Sequence, residues 1–138
     1  NGTYNTEWPS TSMVNWTTGE PNPRYHVLEL LISKLSRKGV IQGVLSTNTN
    51  GDDSQMYAQG FTLQGKEETI TRNAVLLVNK SPDSVNVKID APSGFGAAEA
   101  CSVDEITSIK YACAVVAVQN GQVEVEMMRS AVFVVTFQ

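Results

Sequence analysis

The chain has 138 residues, of which 41% are apolar and 17% are charged. This length suits one domain with a hydrophobic core, and the composition excludes an intrinsically disordered chain. Ten basic and fourteen acidic side chains give a net charge of −4. Because the basic residues are scattered and no apolar run approaches the ~18 residues of a membrane span, we expect neither a nucleic-acid partner nor a membrane-spanning segment.

The first residues are predicted to be irregular, and Ser12 to Trp16 to form a short buried strand. The chain begins Asn1-Gly2-Thr3, without a methionine or a signal-peptide pattern. We therefore expect either that a leader has been removed or that the chain is the C-terminal product of a longer precursor.

A helix is predicted to begin at Asn22 and Pro23, since asparagine is a good N-cap and proline suits the first helical position. Gly39 is expected to end it, and basic residues of the last turn suit its dipole: Lys34, Arg37 and Lys38. Its apolar face is formed by Val27, Leu28, Leu31 and Leu35, widened by Leu30 and Ile32. Such a face must be buried, either on the strands that follow or in a neighbouring domain.

From Val40 onward the apolar pattern changes to the period of two that is typical of strands. Turn signals separate the runs, and Asn120-Gly121 is the strongest hairpin signal. The predicted strands are Ile41–Thr47, Gln55–Leu63, Ala74–Asn79, Ser84–Asp90, Ala97–Asp104, Ala112–Gln119, Val123–Met127 and Ala131–Phe137. The fold class is therefore mainly β, an antiparallel β-sandwich of about eight strands preceded by one amphipathic α-helix. We expect one segment over residues 1–39 and the sandwich over 40–138.

Two cysteines, Cys101 and Cys113, are separated by enough chain for two adjacent strands and a turn. We predict a disulfide, with two buried free thiols as the alternative. Two cysteines and one distant histidine do not make a tetrahedral set, so we expect no metal site and no cofactor.

Three glycosylation sequons, at Asn1, Asn15 and Asn79, point together with the predicted disulfide to a secreted, extracellular or lumenal glycoprotein. Asn79 is the least favourable acceptor because Pro82 follows its triplet.

No catalytic residues are predicted. Most carboxylates lie in turns or on exposed strand faces, whereas a glycosidase needs two that face each other. His26 has no cysteine, serine or carboxylate at a catalytic spacing, so a packing or capping role is favoured. Trp16 can stack on a sugar ring or pack in a core.

Two stretches carry a family resemblance. The run Ser12-Met13-Val14-Asn15-Trp16, followed by Gly19-Glu20-Pro21-Asn22-Pro23-Arg24-Tyr25-His26-Val27-Leu28-Glu29-Leu30-Leu31, resembles the last strand and helix of a clan-A (β/α)8 glycoside hydrolase barrel. The later Tyr57-Ala58-Gln59-Gly60-Phe61 and Ala74-Val75-Leu76-Leu77-Val78-Asn79-Lys80-Ser81 are similar to the β-sandwich appended to such barrels. This resemblance suggests that the relatives are heparanase-like, β-glucuronidase-like and arabinofuranosidase-like enzymes.

The resemblance implies that the catalytic carboxylates lie on barrel strands that this chain lacks. The resemblance implies a sugar-binding role for Trp16 alone. This sequence departs from the family at His26, where the family usually has a tryptophan. The first hypothesis is a non-catalytic C-terminal portion that completes a barrel supplied by another chain or segment. The alternatives are a structural or adhesive extracellular module derived from a glycosidase, or a carbohydrate-binding module with a row of exposed aromatic side chains.

Overall fold

A computed structural model describes residues 13–15, 17–36, 40–51, 54–65, 69–104 and 110–138. Helix α1 spans Pro23–Leu31 and continues as a π-helical turn, Ile32–Ser36. The strands are β1 Val40–Leu45, β2 Met56–Gln64, β3 Thr71–Asn79, β4 Val85–Asp90, β5 Ala97–Val103, β6 Ala112–Ala117, β7 Gln122–Met127 and β8 Val132–Phe137. This confirms the predicted fold class, and each of the eight strands predicted after residue 40 has a counterpart.

The strands form two antiparallel sheets of very different size. One has six strands in the order β1-β2-β3-β8-β5-β6, and the other consists of β4 and β7 alone. Helix α1 packs on one face of the six-stranded sheet, and the β4–β7 pair packs on the other. The six-stranded sheet is therefore the middle of three layers.

Alternate residues of the middle strands serve the two faces, because successive side chains of a strand point to opposite sides. The helix side buries Leu63, Ala74, Cys101, Val103 and Val134 with Leu30 and Leu35, and we call this set the helix-side core. The other side buries Leu77, Ala98, Ala100, Val135 and Phe137 with Val123, Val125, Met127 and Ala131. Since β3, β5 and β8 are covered on both faces, their sequences are nearly continuously apolar, whereas β4 and β7 alternate.

Helix α1 begins as predicted. Asn22 is the N-cap, its side chain accepts a hydrogen bond from the backbone of Tyr25 at 3.3 Å, and Pro23 is the first helical residue. Leu30 and Leu35 lie in the helix-side core although they are five residues apart. A π-helical turn joins residues at this spacing. Gly39, the predicted end of the helix, lies outside the described residues.

The apolar face of the helix agrees with the prediction in part, since Val27, Leu31 and Leu35 pack in or against the helix-side core. Leu30 is completely buried, whereas Leu28 is 43% exposed and Ile32 is 55% exposed. The helical spacing of apolar residues does not show which of two neighbouring apolar stripes meets the sheet, so the prediction treated both stripes as one face. The helix shares its buried side with the strands, and the division into 1–39 and 40–138 stays a prediction.

The predicted strand over residues 12–16 is not formed in the described part of that segment, residues 13–15. Val14 makes a single β-bridge to Pro21 and is 37% exposed. A barrel strand needs parallel neighbours on both sides, and the described residues of this chain supply none. The segment instead turns back and leads into α1.

The Asn120-Gly121 turn forms as predicted, with both residues at positive φ, 50° and 74°. Gln119 and Gln122 exchange two backbone hydrogen bonds across it, of 2.8 and 2.9 Å. The expected hairpin ladder does not continue, because β6 stays paired with β5 while β7 pairs with β4. The turn is therefore a corner between the two sheets.

Candidate functional site

Hydrogen bonds join Asn15 to Thr17, Thr18 and Gly19 in a closed turn before α1. The amide groups of Thr17 and Thr18 donate to the Asn15 side-chain oxygen at 2.9 and 3.3 Å. The amide of Gly19 donates to the Asn15 carbonyl at 2.7 Å. Trp16 itself lies outside the described residues, so its sugar-binding role stays a prediction.

This turn leads through Asn22 to a cavity of about 370 Å³ beside the start of the helix. Its walls come from the first turn of α1, the end of β5 and the turn before β8: Asn22, Pro23, Arg24, Val27, Val103, Asp104 and Ser130. Asp104 is 5% exposed. Among these lining residues Asp104 is the single carboxylate, so the cavity does not hold the facing pair that glycoside hydrolysis requires.

Helix α1 also has apolar residues on its exposed side. Tyr25, Leu28 and Ile32 are 42%, 43% and 55% exposed. At 3.6 residues per turn their positions fall on one side, nearly opposite Leu30. We call these three residues the exposed helix stripe. A helix with two apolar sides is expected to have two packing partners, and the described residues supply only one.

Polar contacts fix the buried side of the helix to the sheet. Lys34 donates to Glu99 of β5, with both side chains largely shielded from solvent, and Ser33 lies 3.3 Å from the hydroxyl of Tyr111. The sequence suggested that Lys34 only balances the helix dipole. The isolated charge of Glu99 in the small-residue strand Ala97–Val103 was the signal that could have identified its partner.

The predicted disulfide between Cys101 and Cys113 is confirmed. It joins directly opposite residues of β5 and β6. Glu99 lies close to both sulfur atoms, and together they are the one metal-ligand-like cluster among the described residues. Both sulfur atoms are already bonded to each other, so no thiolate is left there to bind a metal.

Asn79 proves to be a structural residue. Its side chain is 1% exposed, and its Nδ2 donates to the carbonyls of Asp83, Met127 and Met128 at 2.9, 3.2 and 2.9 Å. A glycan on that nitrogen is incompatible with this arrangement, so the fold argues against the predicted sequon at Asn79. Asn15 is exposed, and glycosylation there stays a prediction. Asn1 lies outside the described residues.

The other proposed site residues take structural positions. His26 is buried, and its Nδ1 lies 3.2 Å from Glu29 Oε2, which fits the predicted packing role. Tyr57 is the one aromatic side chain of the described strands that is clearly exposed, at 46%. The described sheet faces therefore show no row of exposed aromatic residues of the kind that a carbohydrate-binding module needs.

No helix in the described part of the chain has the length and hydropathy to cross a membrane.

No protein-family model and no curated protein matches this sequence. Among solved structures, the fold is similar to that of a GH30 endoxylanase from Clostridium papyrosolvens C71, with a TM-score of 0.62 and 15% identity over 91% of this chain. It is also similar to a glycoside hydrolase family 30 subfamily 8 xylanase from Clostridium acetobutylicum, with a TM-score of 0.61 and 13% identity over 94% of this chain.

This chain spans 30% of the length of the first enzyme and 31% of the second. At such low identity the likeness concerns the fold, and the narrower resemblance to heparanase-like and β-glucuronidase-like enzymes stays a prediction. The fold of this chain is therefore similar to that of a part, less than one third, of family 30 xylanases.

Proposed function

We propose that this chain is the non-catalytic β-sandwich portion of a glycoside hydrolase-like protein, and that it completes or stabilises a (β/α)8 barrel supplied by another chain or segment. The observation that carries this proposal is the pair of opposite apolar sides on α1. One side packs in the helix-side core, and the exposed helix stripe offers Tyr25, Leu28 and Ile32 to a second partner.

The fold comparison supports the same proposal. The similarity covers more than nine tenths of this chain but less than a third of each xylanase. A helix that is shared between a sandwich and a barrel would need one apolar side for each, which is the pattern of α1. The disulfide, together with the exposed sequon at Asn15, supports a secreted or extracellular location.

The test is to express the complete precursor, purify it by a tag on this chain, and identify by mass spectrometry the polypeptide that remains bound. We expect it to show repeated strand and helix units with two strand-end glutamates, and to retain xylan hydrolysis that this chain alone lacks. Replacing Leu28 and Ile32 with aspartate should abolish the association because it places charges in the proposed contact. Ile70→Asp, at a residue 71% exposed and outside α1, is the matched control.

Hydrolysis of xylan by the isolated chain would contradict the non-catalytic role. A partner that lacks both carboxylates would favour the structural or adhesive alternative. Association that survives the Leu28 and Ile32 substitutions would remove the helix stripe as the contact.

A further inference from the structure

The outer strand β6 is mostly exposed in the described part of the chain. Its residues Ala112, Cys113, Ala114, Val115 and Ala117 are exposed, and Val115 is 72% exposed. The remaining residue, Val116, is half-buried and packs against the core on the β4–β7 side. Among the described strands, β5 alone pairs with it, and none pairs with its outer row of backbone groups.

Soluble proteins usually protect such an edge with a charge, a proline or a bulge. Strand β6 has the sequence Ala-Cys-Ala-Val-Val-Ala, which contains none of these, and it pairs with β5 without interruption from Ala97↔Ala117 to Ser102↔Ala112. The opposite edge is different, because the β1–β2 pairing shifts register between Ile41 and Gly43. The six-stranded sheet thus has one interrupted edge and one regular, unprotected edge.

The disulfide holds this edge in place. Cys113 of β6 is bonded to Cys101, which is 1% exposed in the helix-side core. The cross-link fixes the register of an outer strand of which five of the six residues are exposed. The edge is therefore preorganised to accept another strand.

We propose that β6 is a dimerisation edge, at which β6 of a second copy of this chain pairs antiparallel to it about a two-fold axis perpendicular to the sheet. Such an axis keeps the helix side of both copies on the same face. Because side chains alternate along a strand, the axis must then pass through a residue, and the two residues nearest the middle of β6 are Ala114 and Val115. In either register, small apolar side chains of the strand face one another and no like charges meet. The strand has no charged side chain and only small apolar ones, which is why an identical strand fits best.

The test measures the mass of the 138-residue chain by light scattering on a sizing column over a range of concentrations. The wild type is expected to rise from 15.0 kDa toward twice that value. Ala114→Lys and Ala114→Glu, which place two like charges at or beside the axis, should each weaken dimerisation by at least about fivefold, equivalent to ~1 kcal/mol. An equal mixture of the two variants should restore the dimer, because opposite charges then meet.

The matched control is Val44→Lys, at a 66% exposed position on β1 of the interrupted edge, and it should dimerise like the wild type. Circular dichroism confirms that each variant is folded. If a charge at Ala114 prevents folding, hydrogen exchange of the wild type decides, since the β6 amides should become more protected as concentration rises.

A wild type that keeps a single-chain mass at every concentration would overturn the proposal. So would an Ala114→Lys variant that dimerises normally, a mixture that stays monomeric, or β6 amides whose exchange does not depend on concentration. This edge is separate from the exposed helix stripe, so its failure would leave the proposed barrel contact untouched.

Discussion

We expect the free energy of unfolding of this chain to depend strongly on Asn79, although this residue lies at the end of a strand. Its side chain links the end of β3 to the turn after β7 through the carbonyls of Met127 and Met128, and to the β3–β4 turn through Asp83. Its Oδ1 accepts from the amide of Ser81 at 2.9 Å. One amide therefore ties both strands of the β4–β7 pair, at the end where Val85 pairs with Met127, to the six-stranded sheet.

The expected cost of Asn79→Ala follows from these bonds. A hydrogen bond contributes ~1 kcal/mol net, and a buried partner left unsatisfied costs ~1–3 kcal/mol. Water can replace the contacts near the exposed turn, but not the buried one to Met127. We therefore expect a loss of about 3 kcal/mol, a large fraction of the 5–15 kcal/mol that stabilises a typical domain. Asn79→Asp should cost at least as much, since an oxygen then faces three carbonyl oxygens.

Urea unfolding followed by circular dichroism would measure this loss, with an unchanged slope showing that the same surface unfolds. Asn86→Ala is the matched control because Asn86 lies on the exposed face of β4, where a change within ~0.5 kcal/mol is expected. An Asn79→Ala variant as stable as the control would refute the role of this side chain. A glycan found on Asn79 in the folded chain would refute it as well.

Replacing Cys101 and Cys113 together by serine should lower the free energy of unfolding by about 3 kcal/mol in the chain-entropy model, and equal urea midpoints would contradict this. Gly60→Ala would bring a Cβ within 3.1 Å of a neighbouring side chain, whereas Gly96→Ala meets nothing within 4 Å. We expect a loss of ~1–2 kcal/mol for the first and little change for the second in thermal unfolding. A chain reduced to residues 40–138 loses the helix that covers the helix-side core. It should bind a hydrophobic dye and unfold without cooperativity, and a sharp unfolding transition would show that the strands fold alone.

Local signals in the sequence were enough to predict the elements. Asn22-Pro23 predicted the start of the helix, Asn120-Gly121 predicted a turn with positive φ, and alternation such as Val123-Glu124-Val125 predicted strands. These patterns depend on interactions between residues close in sequence, so a single sequence contains them.

The arrangement of the strands depends on distant residues and could not be predicted in this way. The Asn120-Gly121 turn is compatible with a hairpin, and only the pairing of β7 with the distant β4 makes it a corner. The buried side of α1 was predicted too wide, because helical spacing alone did not separate the exposed Leu28 and Ile32 from the residues that meet the sheet. Asn79 was predicted to be a glycosylation site because its sequon is visible in sequence, while its three carbonyl partners are not.

The anchoring of α1 also bears on how a barrel would be held. The helix is fixed to the sheet by Leu30 in the helix-side core and by the Lys34–Glu99 ion pair. Any partner that packs on its exposed stripe would therefore be positioned relative to the sandwich by the helix itself, and not by a flexible linker. On this argument the junction between sandwich and barrel runs through α1. A substitution that removes the Lys34–Glu99 ion pair would then weaken the proposed barrel contact, although neither residue belongs to the exposed helix stripe.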